Sequence, residues 1–172
     1  DATGSIMQFD KDGDFTTGNK LNECYFISLS RLLVKDEIKK GSFSLELGVE
    51  STFSNNLTFT DRVTLKDTGA ENDYRVNSPA GEYAILYIAD AADTPLHAGV
   101  TTDAEKQVGL LYYQAGVVVV TASVFNQHNA GTGFLDANVK MDSGDFEVSS
   151  IFSGTIEQNA DALRHRIYNM SF

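Results

Sequence analysis

The run Val117-Val118-Val119-Val120-Thr121-Ala122-Ser123-Val124-Phe125 restricts the folds open to this chain more than any other stretch. It is β-branched and almost wholly apolar, so it cannot be a strand with one wet face. Left uncovered, it would pair with other chains. The rest of the domain, or a neighbouring subunit, must therefore cover both of its faces. Upstream, Gln107 to Tyr113 reads as its partner strand. The two are joined by a three-residue loop, Gln114-Ala115-Gly116, in which Gly116 takes the left-handed conformation that a bulged hairpin turn needs.

Other segments repeat the strand signal. Phe43, Leu45, Leu47 and Val49 alternate with Ser44, Glu46 and Gly48, the pattern of a strand with one wet face. Before it, Cys24 to Leu33 is rich in strand formers, and Asp36-Glu37-Ile38-Lys39-Lys40-Gly41 makes a charged turn or a single helical turn between the two arms. Shorter strands are expected around Leu57 to Phe59, Arg62 to Leu65 and Phe146 to Val148, with turns at Ser54-Asn55-Asn56 and Asp67-Thr68-Gly69. Tyr83 to Ala89 is apolar throughout and a natural sheet neighbour for the hairpin. The period then changes at the end. Ile156, Ala160, Leu163, Ile167 and Met170 recur in steps of four and three, one seam of an α-helix. Thr155 and Gln158 fit a capping box at its start, with Glu157 and Asp161 early and Arg164, His165 and Arg166 late, as the helix dipole prefers.

Residue chemistry narrows the function by exclusion. Acidic residues number 24 against 13 basic, a formal charge of -11, and no basic stripe is interleaved with aromatics, so no direct nucleic-acid role is expected. Cys24 is alone, which excludes an intrachain disulfide and suits a small buried apolar residue. Asp10-Lys11-Asp12-Gly13-Asp14 suggests calcium, but counting from Asp10 puts Gly13 and Leu21 where an EF-hand register does not want them, so a solvated turn is expected. His97, His128 and His165 have no metal-ligand spacing, and no nucleophile elbow, phosphate loop or dinucleotide fingerprint occurs. No cofactor and no enzymatic activity are expected. The matches to the glycosylation pattern at Asn56 and Asn169 are short and read as chance. No apolar run is long enough to span a bilayer. The opening Asp-Ala-Thr-Gly-Ser has neither an initiator methionine nor a signal-peptide pattern. It suggests either a processed start or a piece of a longer protein.

Two phrases carry a resemblance. Lys35-Asp36-Glu37-Ile38-Lys39-Lys40-Gly41-Ser42-Phe43-Ser44-Leu45, at the end of the stretch that begins at Tyr25, is one. Gly109-Leu110-Leu111-Tyr112-Tyr113-Gln114-Ala115-Gly116-Val117-Val118-Val119-Val120 is the other, and the tail from Gly154-Thr155-Ile156 to Arg164-His165-Arg166-Ile167 continues the likeness. Together they resemble structural virion proteins of large contractile-tailed phages, particularly those of marine cyanobacteria. Such proteins are usually much longer, so the resemblance implies that this chain is one portion. It also implies a multicopy shell, tail or baseplate component without catalysis, with tail or baseplate the expected place, located in the virion after assembly in the host cytoplasm. Its partners would be other copies of itself and other virion structural proteins.

The expected architecture is mainly β: an antiparallel β-sandwich or jelly-roll-like domain over residues 1–152, with one C-terminal amphipathic α-helix over 153–172. That helix packs on the sheet or on a neighbouring subunit. The expected assembly contacts are Val117, Val119 and Phe125 on the apolar strand and Ile156, Leu163 and Ile167 on the helical seam. The rival reading is a receptor- or carbohydrate-binding β-sandwich module using the polar loop 126–133.

Overall fold

The computed structural model describes residues 9–10, 20–21, 24–29, 37–48, 62–89, 107–122, 141–142, 147–148 and 155–172. In chain order these give β1 (Phe9–Asp10), β2 (Lys20–Leu21), β3 (Cys24–Ser28), β4 (Ser44–Gly48), β5 (Arg62–Lys66) and β6 (Tyr83–Ile88). They continue with β7 (Gln107–Tyr112), β8 (Val117–Thr121), β9 (Met141–Asp142), β10 (Glu147–Val148), helix α1 (Ile156–Arg166) and β11 (Ile167–Ser171). Seven strands form one antiparallel sheet in the order β11-β4-β5-β6-β7-β8-β3. Strands β4 to β8 are a plain meander, and the first and last strands of the sheet close its two edges. The chain is mainly β, and its curled sheet makes the fold sandwich-like.

The curl has a visible seat. Strands β5 and β6 pair only at Leu65↔Ile88 and Lys66↔Tyr87. On one side the bonding continues, with the Ala89 N–H donating to the Thr64 carbonyl at 2.9 Å; on the side of the connecting loop the strands part, and the backbone of Arg75 bridges Tyr83 instead, with bonds of 2.7 and 3.0 Å. Curling lets the sheet cover much of its own inner face. Leu45, Leu47, Val63 and Leu65 on one half share a single buried cluster with Ala84, Leu86, Leu111, Val118 and Val120 on the other. Leu163 of α1 and the loop residues Ile38, Phe43 and Ala70 complete it.

The outer face is divided. At the β4-β5 end it carries Ser44, Glu46, Arg62, Thr64 and Lys66, none of them buried, which is the wet face the alternation predicts. At the β6-β7-β8 end Tyr83, Ile85, Leu110, Tyr112 and Val119 form a second buried cluster with Leu21 of the small β1-β2 sheet, and Phe9 packs against it. The apolar strand β8 is thus covered on both faces, as its composition requires: Val118, Val119 and Val120 are all 0% exposed.

Three expectations change. The β7-β8 turn begins one residue early: Tyr112 pairs with Val117, and Gly116, at φ 63°, donates its N–H to the Tyr112 carbonyl at 2.9 Å. Tyr113 is the first residue of the turn, and its side chain keeps the inward alternation of Leu111 and is buried in the inner core. The helix is shorter than its seam suggests. It ends at Arg166, and Ile167–Ser171 runs as an edge strand against β4, with an irregularity between Ile167 and Asn169. Ile167 and Met170 do pack on the inner core beside Leu163, so the apolar spacing identifies inward-facing residues without fixing the conformation that delivers them. The open edge of β4 offers backbone partners, and buried Arg166 secures the junction by donating to the Gly48 carbonyl at 3.0 Å. The end of 153–172 therefore belongs to the sheet and not to a separate helical unit. Asp10, read as part of a solvated turn, is buried and pairs with Lys20 at 3.2 Å. The rest of that acidic cluster, the strand around Leu57 to Phe59 and the loop 126–133 lie outside the described residues.

Candidate functional site

Three connections meet at one end of the sheet: 37–43, 67–82 and 113–116. The first crosses from the β3 edge to β4, and its backbone has to find partners away from any ladder. Ser42 donates its N–H to the Lys39 carbonyl at 3.2 Å, closing a turn that Gly41 makes possible with φ 78°. The Ile38 N–H reaches the Tyr113 carbonyl at 3.4 Å. Two further donors of the segment converge on one side chain. Asp67 Oδ2 accepts from the Gly41 N–H at 2.7 Å and from the Tyr113 hydroxyl at 2.8 Å, and Oδ1 accepts from the Phe43 N–H at 3.0 Å.

Asp67 is 1% exposed, so its carboxylate has given up water for these three bonds. It sits where β5 ends, and its own carbonyl accepts the Ala70 N–H at 3.1 Å, so one residue anchors two turns. Tyr113 is held at both ends, its N–H donating to the Glu82 carbonyl at 3.0 Å while its hydroxyl donates to Asp67. Burial pushes the Tyr113 phenol well above its usual range, and the neighbouring carboxylate pushes it further. Lys40 lies above this core, with Nζ 2.6 Å from Glu82 and 3.7 Å from Glu37. The hydrogen bond to Glu82 is the main reason its ammonium holds its proton more firmly than usual. The arrangement can clamp a crossing segment and hold a cation. Among the described residues no group of three or more His, Cys, Asp or Glu is placed to hold a metal ion.

The tyrosines yield a pH prediction. Burial also raises Tyr25, to about 12, and is the first cause of the raised Tyr83 and Tyr112. An unfolded tyrosine ionises near pH ~10, so above that the unfolded chain releases protons that the folded chain keeps, and stability falls as pH rises. For Tyr25 the loss runs from the unfolded value up to about 12. Urea midpoints measured from neutral to strongly alkaline pH are expected to hold steady and then decline, less steeply in Tyr113→Phe. An unchanged slope in that variant contradicts the assignment.

The expected assembly residues do not form one surface. Val117 is half-buried and Val119 fully buried, both against the outer-face cluster. Leu163 is buried and Ile167 half-buried on the opposite, inner side. Ile156, at the helix start, is 89% exposed, and Phe125 lies outside the described residues. The residues that do meet are Lys40 and Asp67, legible only as turn residues, and Tyr113, legible only as the end of a strand. The bond between Asp67 and Tyr113 joins positions 46 apart, and no local spacing announces it.

Among the described residues no helix is long and apolar enough to cross a membrane. No family model, curated protein or solved structure matches the chain.

Proposed function

We propose that this chain is a non-enzymatic structural component of a tailed-phage virion, a tail or baseplate protein acting by self-association and by docking to other virion proteins. The observation that carries the association half of this reading is the state of the sheet's two edges. Strand β3 presents Phe26, 58% exposed; β11 presents Tyr168, 44% exposed, followed by Phe172, 51% exposed. Neither β3 (Cys24–Ser28) nor β11 (Ile167–Ser171) contains a charged residue or a proline, the features with which sheet edges commonly repel other strands. An edge of this kind suits a protein whose working state is an assembly. The virion half rests on the resemblance of 35–45 and 109–120 to phage structural proteins, and the fold brings these two phrases together at Asp67.

Sedimentation of the purified chain over a wide concentration range tests the association. The expected result is concentration-dependent oligomers that Phe26→Lys and Tyr168→Lys each weaken by at least tenfold, with a modest cost to folding from the lost Phe9–Phe26 ring contact and the lost Arg62–Tyr168 stacking. A monomer at every concentration, or oligomers that ignore both changes, contradicts it.

A further inference from the structure

The Lys40 ammonium occupies an arrangement of groups that has a chemistry of its own. Two carboxylates flank it, Glu82 at 2.6 Å and Glu37 at 3.7 Å. Two aromatic rings face it as well: Nζ lies 4.6 Å from the centre of the Tyr74 ring and 5.3 Å from that of Tyr113. Rings within about 6 Å attract a cation through their negative faces, and the effect grows as water is excluded. The Tyr113 wall is set independently of the lysine. The Tyr113 hydroxyl is fixed on Asp67 and its N–H on the Glu82 carbonyl, which joins one ring wall to the backbone of one carboxylate wall. The site is not sealed, for Tyr74 is 39% exposed and the side chains of Glu37 and Glu82 are 45% and 29% exposed. Lys40 enters it from a turn that also carries Glu37 and whose residues Gly41 and Phe43 are bonded to Asp67, the carboxylate that holds the Tyr113 hydroxyl, so the backbone of the turn is held by bonds that do not involve the Lys40 side chain.

We propose that these two rings and two carboxylates form a recognition site for a primary alkylammonium group, filled by Lys40 from within the chain and open to an external amine when Lys40 withdraws. The external group is either a free amine or a lysine side chain of a docked protein, which share this chemistry. The built-in lysine acts at high effective concentration, so it keeps weak competitors out. The site stands on its geometry alone and does not depend on the virion reading.

The test is an NMR titration of the full chain with labelled tyrosine rings, comparing the unsubstituted protein with Lys40→Ala. The probes are propylammonium chloride and a short end-blocked peptide containing one lysine, each set against sodium chloride at equal ionic strength. In Lys40→Ala, propylammonium is expected to shift the Tyr74 and Tyr113 signals saturably and to bind at least tenfold more tightly than in the unsubstituted chain. Adding Glu82→Gln should weaken that binding. A peptide that binds as tightly as propylammonium assigns the site to protein lysines; binding of propylammonium alone assigns it to free amines. Equal binding by both chains, or the same shifts with sodium chloride, overturns the proposal. Should Lys40→Ala not fold, the unsubstituted chain still decides. High propylammonium must then move the Lys40 side-chain signals together with the Tyr74 ring, and shifts in neither overturn the site.

Discussion

Asp67→Ala is expected to lose about 2–4 kcal/mol of folding stability, because it strands two buried donors, the Phe43 N–H and the Tyr113 hydroxyl, and takes the partner from a part-buried one, the Gly41 N–H. Two of these are backbone N–H groups of the crossing segment, Gly41 and Phe43. The third is the Tyr113 hydroxyl. The loss does not come from removed apolar area, since the carboxylate adds none. It comes from groups left without water and without a partner. Tyr113→Phe removes one donor and leaves the carboxylate two, so about 1–1.5 kcal/mol is expected. The double variant should cost clearly less than the sum of the two, since once the carboxylate is gone the phenol has no bond to lose. Urea denaturation of the four proteins measures this. Simple additivity would show that the two side chains do not act through each other.

Val119→Glu is expected to abolish cooperative folding altogether. Val119 is 0% exposed, paired with Leu110 on one side and Phe26 on the other, in the middle of the outer-face cluster. A carboxylate there enters an apolar cluster, and the effective penalty for burying an unpaired ion is several kcal/mol, roughly the whole margin of a small domain. Ile156 provides the contrast. At 89% exposed it should accept lysine within about 0.5 kcal/mol. A charge at Val119 therefore reports on folding, while a charge at Ile156 can report on association alone. Circular dichroism and thermal melts of both variants check the distinction; a cooperatively folded Val119→Glu would contradict the burial of β8.

These two cases also show what the sequence could and could not convey. Strand β8 was legible because four consecutive valines have no wet face to offer, and β4 because Leu45 and Leu47 alternate with Ser44 and Glu46. Such patterns depend on neighbours along the chain. The start of α1 after Thr155 was legible for the same reason, but its end was not. Ile167 and Met170 continue the helical spacing, and only the nearby edge of β4 makes an extended conformation the better one. Asp67 was hidden more deeply. Asp67-Thr68-Gly69 describes an ordinary turn, and its role arises from donors in two other loops that the sheet brings to it. Of the assembly residues drawn from the apolar seams, Val119 and Leu163 are buried within the chain, because apolar spacing marks burial. It does not separate burial within the chain from burial between chains.

The central claim is that the chain is a structural part of a tailed virion, and the most direct measurement is immunogold labelling of intact tailed particles with an antibody raised against it. The proposal predicts gold confined to the tail, baseplate or neck of intact particles, at a copy number consistent with a symmetric assembly. Label on the capsid would keep the structural role and correct its place. Particles that carry no label, whether intact or disrupted, would contradict the claim and favour the receptor- or carbohydrate-binding reading.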